Sequence, residues 1–214
     1  MLYKCGLLRA DADNLVKYAS KVYNTPNNDD LARGFREAFG RTCRVHVIGV
    51  WDTVASFALT AGKRFHDARL NPEVRYGFHA LAIDEKRKDF LPYLWDEDNV
   101  REGQSIEQVW FAGVHSDVGG WYAERGLSNI ALQWMLGKAV RQGLRVDHTR
   151  LAAYQPDPHG KLHQSFTGFW RFRGQRTRKI PEGARIHASV FERMATPADR
   201  YRPRNLPTEY ETVE

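Results

Sequence analysis

Two short apolar runs constrain the fold of this chain more than anything else in it. Val45-His46-Val47-Ile48-Gly49-Val50 leads into Trp51-Asp52-Thr53, and Val109-Trp110-Phe111-Ala112 leads into Gly113-Val114-His115-Ser116-Asp117-Val118-Gly119-Gly120. Runs so poor in polar residues do not suit a strand with one wet face; they suit strands buried on both faces of a parallel sheet covered by helices. Strands are therefore expected from Arg44 to Val50 and from Gln108 to His115. Each delivers a proton-handling side chain at its carboxyl end, Asp52 in one case and His115 in the other, which is where open parallel sheets bind ligands.

The intervening segments carry helical signals. Asp13 is placed to cap a helix whose stripe is Val16, Tyr18, Ala19, Val22 and Tyr23, broken at Asn24-Thr25-Pro26-Asn27-Asn28. Leu31, Phe35 and Phe39 recur at i, i+4, i+8 in a second helix stopped by Gly40. A polar connection follows Thr60-Ala61-Gly62-Lys63, and Gly77 to Glu85 reads as a short helix with Asp84 and Glu85 on its solvated side. Leu127, Ile130, Ala131, Trp134, Met135 and Ala139 form the stripe of a longer helix from Leu127 to Leu144, with Ser128 as its cap and Gly143 at its end.

Strand, helix, strand, helix is the rhythm of an α/β domain. Residues 1–145 are assigned to it. Residues 146–214, richer in Pro, Gly and Arg and carrying Leu162-His163-Gln164-Ser165 and Ile186-His187-Ala188-Ser189, read as an irregular basic appendage packed on the same domain.

Composition narrows the classes. The 214 residues, 42% hydrophobic, suffice for one core, and no apolar run approaches the ~20 residues of a membrane-spanning helix. Met1-Leu2-Tyr3-Lys4-Cys5 lacks the apolar stretch of an export signal, so the chain as written is expected in the cytoplasm, with Cys5 and Cys43 as reduced thiols. The net charge of +6 favours acidic partners. Much of the excess lies in Arg171, Arg173, Arg176, Arg178, Lys179 and Arg185, interleaved with Phe169, Trp170 and Phe172. No nucleic-acid-binding pattern frames them, so they read as a solvated loop or edge, with lipid headgroups as the alternative contact.

The chemistry belongs to the two strand ends. A serine hydrolase needs an imidazole to take the hydroxyl proton and a buried carboxylate to hold that imidazole; His115 and Asp52 fit these roles. Asp52 could instead cap a helix over Val54 to Leu59, and Asp117 could brace its own turn, do direct chemistry or bind a metal. His79 is expected near the site. No metal, phosphate-loop or cofactor pattern is present, so none is expected. Ser116 is one position too late for a G-x-S-x-G elbow, and the serines at 20, 56, 105, 128, 165 and 189 lack its flanking glycines.

The series G-V-W-D-T-V, H-A-L-A-I-D-E-K-R, Q-V-W-F-A-G-V-H-S-D-V-G-G and L-S-N-I-A-L-Q-W-M-L resembles an uncharacterised α/β-hydrolase family that includes type VI secretion phospholipase effectors. The resemblance covers residues 1 to 145 closely, and L-H-Q-S, I-H-A-S-V and Y-R-P-R-N-L-P resemble the family's C-terminal portion. It implies an incomplete α/β-hydrolase-like parallel sheet, hydrolysis of phospholipid acyl esters, release by a route independent of a signal peptide, and a Ser-Asp-His triad whose aspartate and histidine map to Asp52 and His115.

The family's D-G-T strand start and G-F-S-R-G elbow have no counterpart here, since Met1 to Leu8 resembles the family's sequence downstream of that elbow. A third glycine after the histidine turn is replaced by Trp121, which is bulky for a site mouth. The resulting expectations are a hydrolase fragment inactive alone, a split half or pseudoenzyme whose partner chain completes the sheet beside an apolar edge at Val45 to Val50, or a basic lipid-surface module.

Overall fold

The computed structural model describes residues 1–26, 28–54, 70–71 and 73–214. These form two compact units, residues 1–46 and 47–214.

In the first unit, α1 (Leu2–Cys5), α2 (Val16–Asn24) and α3 (Asp29–Phe39) enclose a small core of Cys5, Ala19, Val22, Ala32 and Phe35. A two-residue antiparallel pair, β1 (Leu7–Leu8) with β2 (Gly40–Arg41), closes it. The helices fall where periodicity put them, but the buried faces are narrower than the stripes. Val16, Tyr18, Tyr23, Leu31 and Phe39 are exposed, and Asp13 lies in a 3-10 turn without capping. Gly40 does end α3. Cys5 and Cys43 are unbonded.

The second unit is built on five parallel strands in the order β3 (Val47–Trp51), β4 (Tyr76–Ala82), β5 (Ser105–Phe111), β6 (Ala184–His187) and β7 (Tyr210–Val213). Two cores lie on its opposite faces, as alternation along each strand requires. Phe78, Ala80, Ala82, Val109 and Phe111 face α5 (Gly126–Arg141) through Leu127, Ile130, Ala131, Trp134 and Met135. Leu81, Ile83 and Trp110 face the other way, onto Ile180, Ile186, Val190 and Tyr201.

Close approach shapes the first face. A Cβ on Gly49 of β3 would stand 2.5 Å from Met135 Sδ, so the glycine lets α5 settle against the edge of the sheet. Among the described residues β3 pairs on one side only, and its apolar residues are half-buried.

Several expectations need correction. Gly77 to Glu85 is not a helix: Tyr76–Ala82 is a strand with β3 and β5 on either side. Its run is apolar throughout, so burial on both faces erases the period that separates strand from helix. Asp84 and Glu85 consequently leave a buried strand end, and Glu85 is fully buried. Ser128 does not cap α5; its hydroxyl donates back to the Arg125 carbonyl. The segment from 146 onward holds long irregular stretches, yet it also supplies α6 (His148–Leu151), β6, β7 and α8 (Ala188–Ala195). The proposed helix over Val54 to Leu59 and the connection at Thr60 to Lys63 lie outside the described residues apart from Val54, which bridges to Pro92.

Candidate active site

Asp52 and His115 meet at the carboxyl ends of β3 and β5. Nδ1 of His115 lies 2.6 Å from Oδ2 of Asp52. The carboxylate is fully buried, whereas the imidazole keeps 29% of its surface. With Nδ1–H donating to the carboxylate, Nε2 is left as the basic nitrogen. Among the described residues Nε2 has no hydrogen-bond partner.

A left-handed backbone position places each residue. Asp52 turns off β3 at φ 47°, a left-handed value rare outside glycine, and its N–H donates to the Ala80 carbonyl at 2.7 Å. His115 opens α4 (His115–Gly119) two residues after Gly113, which sits at φ 117°. A Cβ there would lie 2.5 Å from Asp117 Cβ, so only glycine fits between strand and helix.

Arg178 is the residue that the sequence did not reveal as part of this site. Counted among the solvated basic residues, it is instead buried, and it clasps Asp52 with Nη1 at 2.5 Å from Oδ1 and Nη2 at 2.9 Å from Oδ2. The same two nitrogens donate to the carbonyls of Ala82 and Phe90. Ala82 N–H completes the shell around Oδ1. Burial by itself would raise the Asp52 pKa; the hydrogen bond to His115 and the Arg178 charge together outweigh it and bring the group down to about 2. Asp52 is thus a fixed anion at any physiological pH.

Three further carboxylates hold His115 in place. Glu85 accepts from the His115 N–H at 3.2 Å, from Arg87 in a fork, and from the Ser165 hydroxyl at 2.8 Å. Asp84 accepts from Gly113 N–H and from the Tyr201 hydroxyl. Asp117 accepts from Val114 N–H within its own turn and from both the backbone and Nδ1 of His163. Of the alternatives weighed for Asp117, this is the bracing geometry. Leu162-His163-Gln164-Ser165 therefore reaches two of the three carboxylates, His163 on Asp117 and Ser165 on Glu85. Its apparent repeat does something else: His187 precedes α8 and accepts from Ser189 N–H, with its ring stacked on Phe111 at 4.7 Å.

His79 stands behind the pair as support. Its Nε2 accepts from Thr53 N–H, and Nδ1 faces Gln108 Oε1 at 3.3 Å. Burial pushes its pKa down to about 4, so it is a neutral strut rather than a second base. A cleft of about 360 Å³ opens between Trp51, Val118 to Gly120, Arg125, Leu132 and Tyr154; neither Asp52 nor His115 lines it, although Trp51 precedes Asp52 and Val118 to Gly120 follow His115 in sequence. Trp121 does not line it and stands 86% exposed. Among the described residues no His, Cys, Asp and Glu group is arranged to hold a metal ion, and no helix is long and apolar enough to cross a membrane.

Comparison with known proteins identifies a family. Residues 1–138 match the family model described as T6SS, Phospholipase effector Tle1-like, catalytic domain. A stretch of 70 residues is 35% identical to Uncharacterized protein YEL023C of Saccharomyces cerevisiae, covering 26% of this chain and 10% of the yeast protein. The chain therefore spans only a small part of that relative's length. No solved structure matches.

Proposed function

We propose, for a chain that belongs to the Tle1-like catalytic-domain family of type VI secretion phospholipase effectors, that Asp52 and His115 are the carboxylate and the general base of a Ser-Asp-His triad cleaving phospholipid acyl esters. One observation carries the reading: the buried carboxylate is 2.6 Å from Nδ1 while Nε2 remains unpartnered among the described residues on a partly exposed ring. The base takes the proton of a serine hydroxyl, the serine oxygen attacks the ester carbonyl, and the imidazolium returns that proton to the departing alcohol before water releases the acyl group. Asp52, anionic throughout, stabilises the imidazolium.

The serine is supplied from outside this sequence, by chain continuous with it or by a second chain. Support comes from the absence of a G-x-S-x-G elbow in the 214 residues. On this reading the chain alone is inactive. Among the described residues β3 has one neighbour in the sheet, which favours the version in which a partner strand joins there. Delivery would follow the type VI route of the family, without a signal peptide.

The test is fatty-acid release from phosphatidylglycerol and phosphatidylethanolamine vesicles. It compares the 214-residue chain with the product of the same reading frame extended upstream of Met1. In an active form, Asp52→Asn and His115→Ala are each expected to lower kcat at least ~10³-fold. Near-full activity in either variant would overturn the triad assignment.

A further inference from the structure

Apart from Arg178, the basic, aromatic segment at residues 168–179 has no part in the chemistry above, yet it is joined to it through ring contacts. The short helix α7 (Trp170–Arg173) is flanked by Gly168 at φ 54° and Gly174 at φ 92°, so the chain makes a tight excursion there and returns. Trp170 anchors the excursion, edge-on to Phe90 at 5.2 Å. Phe90 is in turn edge-on to the His115 ring at 5.1 Å. Arg87 lies 3.4 Å from the Phe90 ring centroid and 5.0 Å from that of Trp170, fixing both.

At the tip, apolar rings face water without cover. Phe172 is 89% exposed and Phe169 67%. Trp121, whose backbone N–H donates to the Ser116 carbonyl one residue after His115, carries a third uncovered ring. Singly exposed apolar residues are ordinary, but two uncovered phenylalanines on either side of a ring that leads to His115 are not. Arg171, Arg176 and Lys179, in the same segment of sequence as the two phenylalanines, are exposed and make no ion pair among the described residues, whereas Arg173 is neutralised by Asp89 at 2.8 Å.

We propose that Trp121, Phe169 and Phe172, with Arg171, Arg176 and Lys179, form a docking surface for an anionic phospholipid bilayer. The rings enter the headgroup and acyl boundary and the cations meet the lipid phosphates, which is how aromatic and basic residues divide an interface between them. The ring contacts then set His115 against the membrane, where its substrate lies. That consequence rests on the ester-hydrolase reading; the binding itself does not.

Co-sedimentation of the 214-residue chain with vesicles tests it, because binding needs no turnover. Strong association with phosphatidylcholine vesicles containing a quarter phosphatidylglycerol is expected, and at least tenfold weaker association with pure phosphatidylcholine. Phe169→Ser/Phe172→Ser is expected to weaken partitioning at least about tenfold, from the apolar transfer of two rings. Arg171→Gln/Arg176→Gln should remove most of the anionic-lipid preference. All four positions are exposed, so circular dichroism should be unchanged. Binding should also blue-shift tryptophan emission, and Trp121→Phe should remove most of that shift.

His115→Ala is expected to bind like wild type. Binding that survives Phe169→Ser/Phe172→Ser, or that short oligonucleotides compete away as well as anionic vesicles do, would overturn the proposal. Normal binding without hydrolysis by any extended form would instead sink only the catalytic reading.

Discussion

Replacing Arg178 by Met isolates what a buried cation does for a buried carboxylate. The Met side chain keeps most of the volume and deletes four donated hydrogen bonds, two to Asp52 and one each to the carbonyls of Ala82 and Phe90. Asp52 is left in a dry setting with only Ala82 N–H and His115 for company. Removing one partner of a buried ion pair typically costs about 3–5 kcal/mol, because the remaining charge is uncompensated. For a domain of this size each kcal/mol lowers Tm by about 2–4 °C, so the expected fall is about 6–20 °C.

All six tryptophans lie in residues 47–214, so urea unfolding followed by their fluorescence reads this unit. The pH dependence has a definite sign. In the wild type the depressed Asp52 pKa contributes stability that is present above its ordinary value of 3.8 and lost as pH falls towards 2. Without Arg178 the desolvation that opposes ionisation gains ground and the pKa rises. The stability gap between wild type and variant should therefore be widest at neutral pH and shrink as pH falls through the raised value. Arg178→Met/Asp52→Asn should cost less than the two single changes added together, with a coupling of about 1–3 kcal/mol. A loss under about 1 kcal/mol for Arg178→Met, or additivity in the double variant, would refute this account of the site.

Three shorter predictions come from the surrounding shell. His79 and His187 are each pushed down to about 4 by burial, so the unfolded chain binds their protons first; stability should be full above about pH 6.5 and fall by up to about 3 kcal/mol per histidine down to pH 4. Urea midpoints at pH 7.5 and 4.5 check this, and a His79→Gln variant should show the smaller drop. Gly113→Ala forces a side chain into a left-handed position against Asp117 and should cost about 3 kcal/mol by thermal unfolding, with loss of His115 placement. Glu85→Gln weakens the charge-assisted bonds to Arg87 and to the N–H of His115, for about 1.5–3 kcal/mol; a change in unfolding free energy below 0.5 kcal/mol, on the order of an ordinary surface substitution, would contradict its bracing role.

How legible all this was depended on range. β3, β5 and the α5 stripe could be read because each is a contiguous pattern of apolar residues, and Asp52 and His115 could be read because they sit one step past those patterns. β4 misled because a strand buried on both faces has no polar beat, and its Ala and Leu are good helix formers as well. Arg178 was illegible for a different reason. Nothing near it in sequence distinguishes an arginine paired with a carboxylate 126 positions earlier from its exposed neighbours Arg176 and Lys179. The Leu162 to Ser165 motif was noticed as a repeat, but only the fold separates His163, bonded to Asp117, from His187, whose ring nitrogen turns back on its own helix.

That last distinction bears on where the functional unit ends. The family match stops at residue 138, yet the shell around Asp52 and His115 is completed from beyond it: His163 on Asp117, Ser165 on Glu85, Arg178 on Asp52, Tyr201 on Asp84. Beyond it too lie β6 and β7, which cover the far side of β5. A chain cut after residue 145 would expose Trp110 and Leu81, lose the cation on Asp52, and leave Asp84, Glu85 and Asp117 each short of a donor. Such a fragment should not give a cooperative tryptophan unfolding transition, although it contains both triad candidates and nearly all the residues that carry the family resemblance. A cooperative transition in residues 1–145 would mean that the later segment decorates the site instead of building it.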